Sequence, residues 1–201
     1  VEQLVDLPRP VIVTVIVLLM GGIAAKGIRE SVMFAGVLTV IEILGLVVIV
    51  IAGFMADPQM IQEIPASVPA LSDSAALIGV FSAGLIAFFA FIGFDDVVNL
   101  VEETKNPKKT MPWAIIISLI TVTLIYFLVV FVAIQALPIP ELAATNAPIG
   151  LLFERLTGMS PLGITLIAIV ATLNGVVIEI IMAARVVYGL GRKGRIPAWF
   201  S

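Results

Sequence analysis

Carboxylates stand in stretches of this chain that otherwise carry no charge: Glu42, the pair Asp95 and Asp96, and Glu179. A carboxylate inside a long apolar run must be paired, neutralised by a proton or set beside a water path. At the centre of a bilayer it costs at least about 2.5–3.5 kcal/mol on insertion scales. Groups placed this way can exchange protons or hold a cation. Glu42 would lie about 16 Å along a helix from Ser31, at about 1.5 Å per residue, which is close to the middle of a span. It reads either as a packing carboxylate hydrogen-bonded to a neighbour or as a proton-coupling group. Glu179 precedes Arg185 near the end of its apolar run. It reads either as a group snorkelling or ion-paired at the interface, or as a second titratable group with a mechanistic role.

Phe88-Phe89-Ala90-Phe91-Ile92-Gly93-Phe94-Asp95-Asp96 holds the densest chemistry. A Gly beside two acids, followed by a resumed apolar run at Val97–Val101, predicts a helix broken inside the membrane. At such a break backbone N–H and C=O groups become free to bind a ligand, and a second half-helix opens with acids at its positive end. The other reading is a helix that stops at Phe94, capped by Asp95.

The chain has no Cys and no His, which removes thiol catalysis, disulfides and imidazole chemistry, and with them zinc sites. No metal or cofactor site is expected. Gly189-Leu190-Gly191-Arg192-Lys193-Gly194 fits G-x-G-x-x-G, but it follows an apolar helix rather than a strand, so it reads as a basic loop. Gly79 and Ala83 form a small-xxx-small pair, which predicts close helix packing.

The elements that position these residues follow from composition. The 201 residues are 61% hydrophobic and 12% charged, with a mean hydropathy of +1.20. Soluble domains average about 45–50% apolar and about 25% charged, so the bilayer must be the solvent for much of this chain. The net charge of −3 and the lack of an extended basic patch argue against a nucleic-acid partner. Five apolar stretches reach the length of a membrane helix, at about 10–25, 31–56, 74–101 with a break near 91–95, 113–137 and 161–184. They form a single all-α transmembrane unit over residues 1–201.

Lys26 and Arg29, then Lys105, Lys108 and Lys109, then Arg185, Arg192, Lys193 and Arg195 alternate with loops that carry mainly acids. The positive-inside rule makes the basic loops cytoplasmic and puts Val1 outside. That orientation, the start at Val1 and the lack of a signal peptide are expected of a piece of a longer protein, with an odd number of helices ahead of it. Residues 57–73, with Pro58, Pro65 and Pro69, should be irregular. Residues 146–158 should form a short helix capped by Asn146 and stopped by Gly158. Its Ile149, Leu152, Phe153 and Leu156 make an apolar stripe for the membrane surface or the bundle.

FFAFIGFDDVVNLVEETKNPKKTMPWAI, residues 88–115, closely resembles the sixth-helix signature of the amino acid–polyamine–organocation (APC) transporter superfamily. Residues 26–54 are similar to that family's fourth-to-fifth helix region, and residues 174–201 to the end of its eighth helix, with an R-x-x-Y…G-x-x-P pattern. The resemblance implies helices four to eight of a leucine-transporter-like fold built from two inverted five-helix repeats. It implies a multi-pass transporter of the cell membrane that moves amino acids by proton-coupled symport or exchange. Its partners would be an amino acid, protons or sodium in their place, and the lipid bilayer.

Carried over by position, the resemblance assigns substrate binding to Phe89, Ala90, Phe91, Ile92, Gly93 and Asp95. Carbonyls around Phe89, Ala90 and Ile92 would meet the substrate's ammonium group, and Phe89 would cover it. Glu42, Asp95 and Glu179 are the proton-coupling candidates. In proton-coupled relatives a Lys often occupies the position of Glu42, so here the charge logic is inverted: neutral when protonated, anionic when empty. A receptor or structural subunit that kept the fold without transport is the first rival. An intramembrane aspartyl protease is the second, but it needs another acid placed to share a proton with Asp95 or Asp96.

Overall fold

A computed structural model of the chain describes residues 8–25, 28–70, 72–93, 98, 101 and 104–197. Eight α-helices are assigned among them: α1 Arg9–Ala24, α2 Ile28–Ala56, α3 Met60–Glu63, α4 Ser74–Phe89, α5 Pro107–Ala136, α6 Ile139–Ala144, α7 Pro148–Thr157 and α8 Leu162–Arg192. A 3-10 turn covers Pro65–Ser67, and no strand occurs among the described residues.

Three helices are long and apolar enough to cross a membrane: α2 over Val32–Ala56, α5 and α8. Only 17%, 17% and 22% of their most apolar windows are buried by the protein, so most of that apolar surface requires a cover such as lipid. Two shorter apolar helices, Pro10–Ala24 of α1 and Ser74–Phe89, accompany them.

The chain divides into two compact units. One comprises Val1–Val48 and Thr145–Ser201, the other Ile49–Ala144. In the first, α1 and α7 pack on α8. Leu152 of α7 and Val177 of α8 are fully enclosed, and Ile164, Ile181 and Met182 are buried at other points along α8. Gly45 of α2 lets α8 approach closely, since a Cβ there would sit 3.3 Å from the Ile167 side chain. In the second unit Ile49 and Val132 are fully buried. The end of α2 lies so close to α5 that a Cβ on Gly53 would overlap Val132 Cγ1.

Several boundaries differ from the sequence reading. Helix α5 begins at Pro107, six residues before Trp113, with Pro112 inside it. Proline suits a first helical turn, and Asn106 accepts the left-handed φ of 54° that leads into it. The Asn106 carbonyl then takes the Lys109 and Thr110 amides, both at 3.0 Å. Helix α8 runs through Gly189 and Gly191 to Arg192, so that segment is helical rather than a basic loop. The stretch 57–73 contains α3 and the 3-10 turn, where Pro65 opens a turn instead of only breaking one.

The α7 helix forms as expected and stops at Gly158, whose φ is 67°. Its N-cap is Ala147 rather than Asn146, with no side-chain cap. Among the described residues nothing lies within 4 Å of a Cβ placed on Gly79, so none of them supplies the close packing expected there.

Candidate functional site

Helix α4 starts firmly and ends abruptly. Asp73 caps it, its carboxylate accepting the Ala76 amide at 3.0 Å. The helix ends at Phe89, and the amides of Ala90, Phe91 and Ile92 then reach back only three residues, to the carbonyls of Ala87, Phe88 and Phe89. Gly93 follows at a φ of 109°, a conformation that L side chains rarely adopt. Residues 78–90 are all exposed. Phe89 and Ile92 are 70% and 59% exposed, so the expected substrate-contacting side chains are accessible.

A partner holds this turn from α5. Tyr126 donates its hydroxyl to the Ala90 carbonyl at 3.3 Å, and its ring meets Phe91 edge-on with centroids 5.5 Å apart. Ala90 is one of the carbonyls assigned to the substrate. With two lone pairs it can accept a second donor while Tyr126 fixes its direction. Asp95 and Asp96 lie outside the described residues.

Glu42 sits at the midpoint of α2 and is half-buried. Asn174 of α8 donates its amide to Glu42 Oε1 at 3.0 Å and to Thr39 Oγ1 at 3.1 Å. The Thr39 hydroxyl donates in turn to the Ala35 carbonyl at 3.0 Å. Thr39 and Glu42 share a helix face because they are three residues apart. Glu179 is exposed on α8, well inside the helix rather than near its end, and forms no hydrogen bond among the described residues.

The structure thus gives Glu42 a built environment in one unit. It places Phe89 to Gly93 in a turn of the other. Asn174, Thr39 and Tyr126 escaped the reading of the sequence. Asn174 was visible in principle as an amide inside an apolar run, the same signal that exposed Glu42. Tyr126 is one of only two tyrosines in the chain, but nothing local ties it to Ala90.

Long, uncovered apolar helices enclosing a polar cluster define a helical membrane protein. The family described as "Amino acid permease" matches residues 6–201, and the chain belongs to that family. It is 36% identical over 124 residues to the branched-chain amino acid permease BcaP of Bacillus subtilis, covering 61% of this chain and 27% of that protein. It is 29% identical over 190 residues to the methylthioribose transporter of the same organism, covering 93% of this chain and 39% of the relative. It is 28% identical over 193 residues to the mitochondrial cationic amino acid transporter 3 of Arabidopsis thaliana, covering 93% and 30% respectively. The chain therefore spans between 27% and 39% of these relatives' lengths. They are named as permeases and transporters, not enzymes. No solved structure matches the chain.

Proposed function

We propose that the full-length protein is a secondary active transporter of amino acids in the cell membrane, working by proton-coupled symport or exchange. The observation that carries this reading is the turn after Phe89, where the chain leaves the helix and presents main-chain carbonyls beside exposed aromatic side chains. Carbonyls outside a regular helix suit an ammonium group, which donates hydrogen bonds and accepts none. The family membership and the relatives' names support amino acids as the substrate class. Asp95 would add preference for a cationic substrate or a second proton site. Glu42 is the foremost proton carrier, being the acid at the midpoint of a helix long enough to span.

The test is uptake by the full-length protein in proteoliposomes. A panel of labelled amino acids would be offered with and without an inward proton gradient, in the absence of sodium. Gradient-driven accumulation is expected. Saturable binding with no accumulation under any gradient would replace transport with the receptor-like reading.

Tyr126→Phe probes the turn more finely, since it keeps the ring against Phe91 and removes the hydroxyl from Ala90. A typical hydrogen bond contributes about 0.5–1.5 kcal/mol net, so KM for uptake should rise about 2- to 10-fold with kcat little changed. An unaltered KM would separate the Ala90 carbonyl from substrate binding.

A further inference from the structure

Glu42 is held by a residue whose own bonding is incomplete. Asn174 is 3% exposed and is the one buried polar side chain among the described residues. Its Nδ2 donates to Thr39 and to Glu42, while its Oδ1 is buried with no partner. An unpaired buried acceptor forfeits its hydration with nothing in exchange. Turning the amide over would be worse beside an ionised Glu42, because Oδ1 would face a carboxylate oxygen and both amide hydrogens would lose their acceptors. The orientation suits the anion and leaves one acceptor open.

We propose that Asn174 is the positioning residue for Glu42 in both of its protonation states: the amide N–H holds the carboxylate, and the open amide oxygen accepts the O–H of the acid. This rests on the proton-carrying role proposed above for Glu42. An ionised carboxylate only accepts hydrogen bonds, whereas the acid must also donate one. A primary amide carries donor and acceptor on one planar group, so it can meet either form without moving the backbone. Adding a proton turns Glu42–COO⁻ into Glu42–COOH and converts a one-way bond into a reciprocal pair. Releasing that proton restores the anion, and Asn174 neither gains nor loses one. Thr39 steadies the amide plane by accepting the second hydrogen of Nδ2.

The other titratable groups on these helices stand apart from Glu42 and Asn174 along the chain. On α8 the titratable groups are Glu179, Arg185, Tyr188 and Arg192; Glu179 is the nearest in sequence to Asn174 and exposed. On α1, which packs on α8, the only one is Arg9 at the start of the helix. On α2 the others are Arg29 and Glu30, about 18–20 Å along the helix from Glu42 at 1.5 Å per residue. Glu179 makes no hydrogen bond to Glu42 or Asn174 among the described residues.

The experiment uses the full-length protein in proteoliposomes, as parent, Asn174→Leu, Asn174→Asp and Glu42→Gln. Two readouts are taken: the pH profile of uptake, and pH-difference infrared spectra in which Glu42→Gln identifies the Glu42 carboxylic C=O band. Asn174→Asp, nearly isosteric, puts two carboxyl groups together and should raise the pH of half-maximal uptake by about one unit or more. Asn174→Leu should move the Glu42 band towards the frequency of an acid without a hydrogen-bonded partner. If the band titrates in the parent but keeps its frequency and pH profile in both Asn174 variants, the positioning role is overturned while Glu42 remains the proton carrier. If the parent shows no titrating Glu42 band and uptake ignores pH, the proton-carrying role falls, and this inference falls with it.

Discussion

Gly93→Ala is expected to cut uptake by the full-length protein about 5- to 150-fold while the protein still reaches the membrane. Gly93 adopts a φ of 109°, which glycine reaches freely and which a Cβ makes costly, by about 1–3 kcal/mol. That energy corresponds to the quoted range if the turn is needed in every cycle. The strain can be relieved by a local shift in the turn, and such a shift would redirect the carbonyls between Phe89 and Ile92. Alanine also favours helix over glycine by up to about 1 kcal/mol, pressing the chain to continue α4 through the turn. Uptake would be measured against the amount of protein in the membrane. Parental uptake from a well-inserted Gly93→Ala protein would show that the turn has no part in transport.

The second large effect is on stability. Gly53→Ala should lower the thermal stability of the purified full-length protein, with a cost of about 1–3 kcal/mol typical of overpacking. The new Cβ would overlap Val132 Cγ1 and fall 2.9 Å from Cγ2 and 3.2 Å from Cβ. Val132 is fully buried, and its β-branched side chain has few rotamers into which it could retreat. The better helix propensity of alanine offsets part of the cost. Val132→Ala should therefore restore most of the loss in the double variant while being destabilising alone, which is the sign of direct coupling. Additive losses in the double variant would mean that α2 and α5 do not meet at this point.

These effects trace back to unequal legibility. Helices α2, α5 and α8 could be read from apolar run length, because hydrocarbon thickness sets a minimum that few soluble segments reach. Their ends could not. Hydrophobicity marks where a helix is apolar, not where it stops, so Pro107–Pro112 and Gly189–Arg192 were assigned to loops although both are helical. Proline misleads in the same way at Pro65, which opens a short helical turn.

At the site, Glu42 was legible because a charge in an apolar run needs explaining wherever its partner is. Its partner was not. Asn174 lies 132 residues away, and Tyr126 lies 36 residues from the carbonyl it holds. Neither pairing leaves a local pattern of the kind that marks a cap or a heptad. The Gly93 turn was anticipated from composition, since a glycine beside acids after an aromatic run is poor helix material.

The 16 residues of α4 make a rod about 24 Å long. No residue along it is buried. The Asp73 carboxylate bonds to the Ala76 amide of the same helix, whereas the Tyr126 hydroxyl ties the Ala90 carbonyl, just past the far end, to α5. A rod tied near one end pivots there, so a tilt of α4 would be felt at Ala90 as a change of angle.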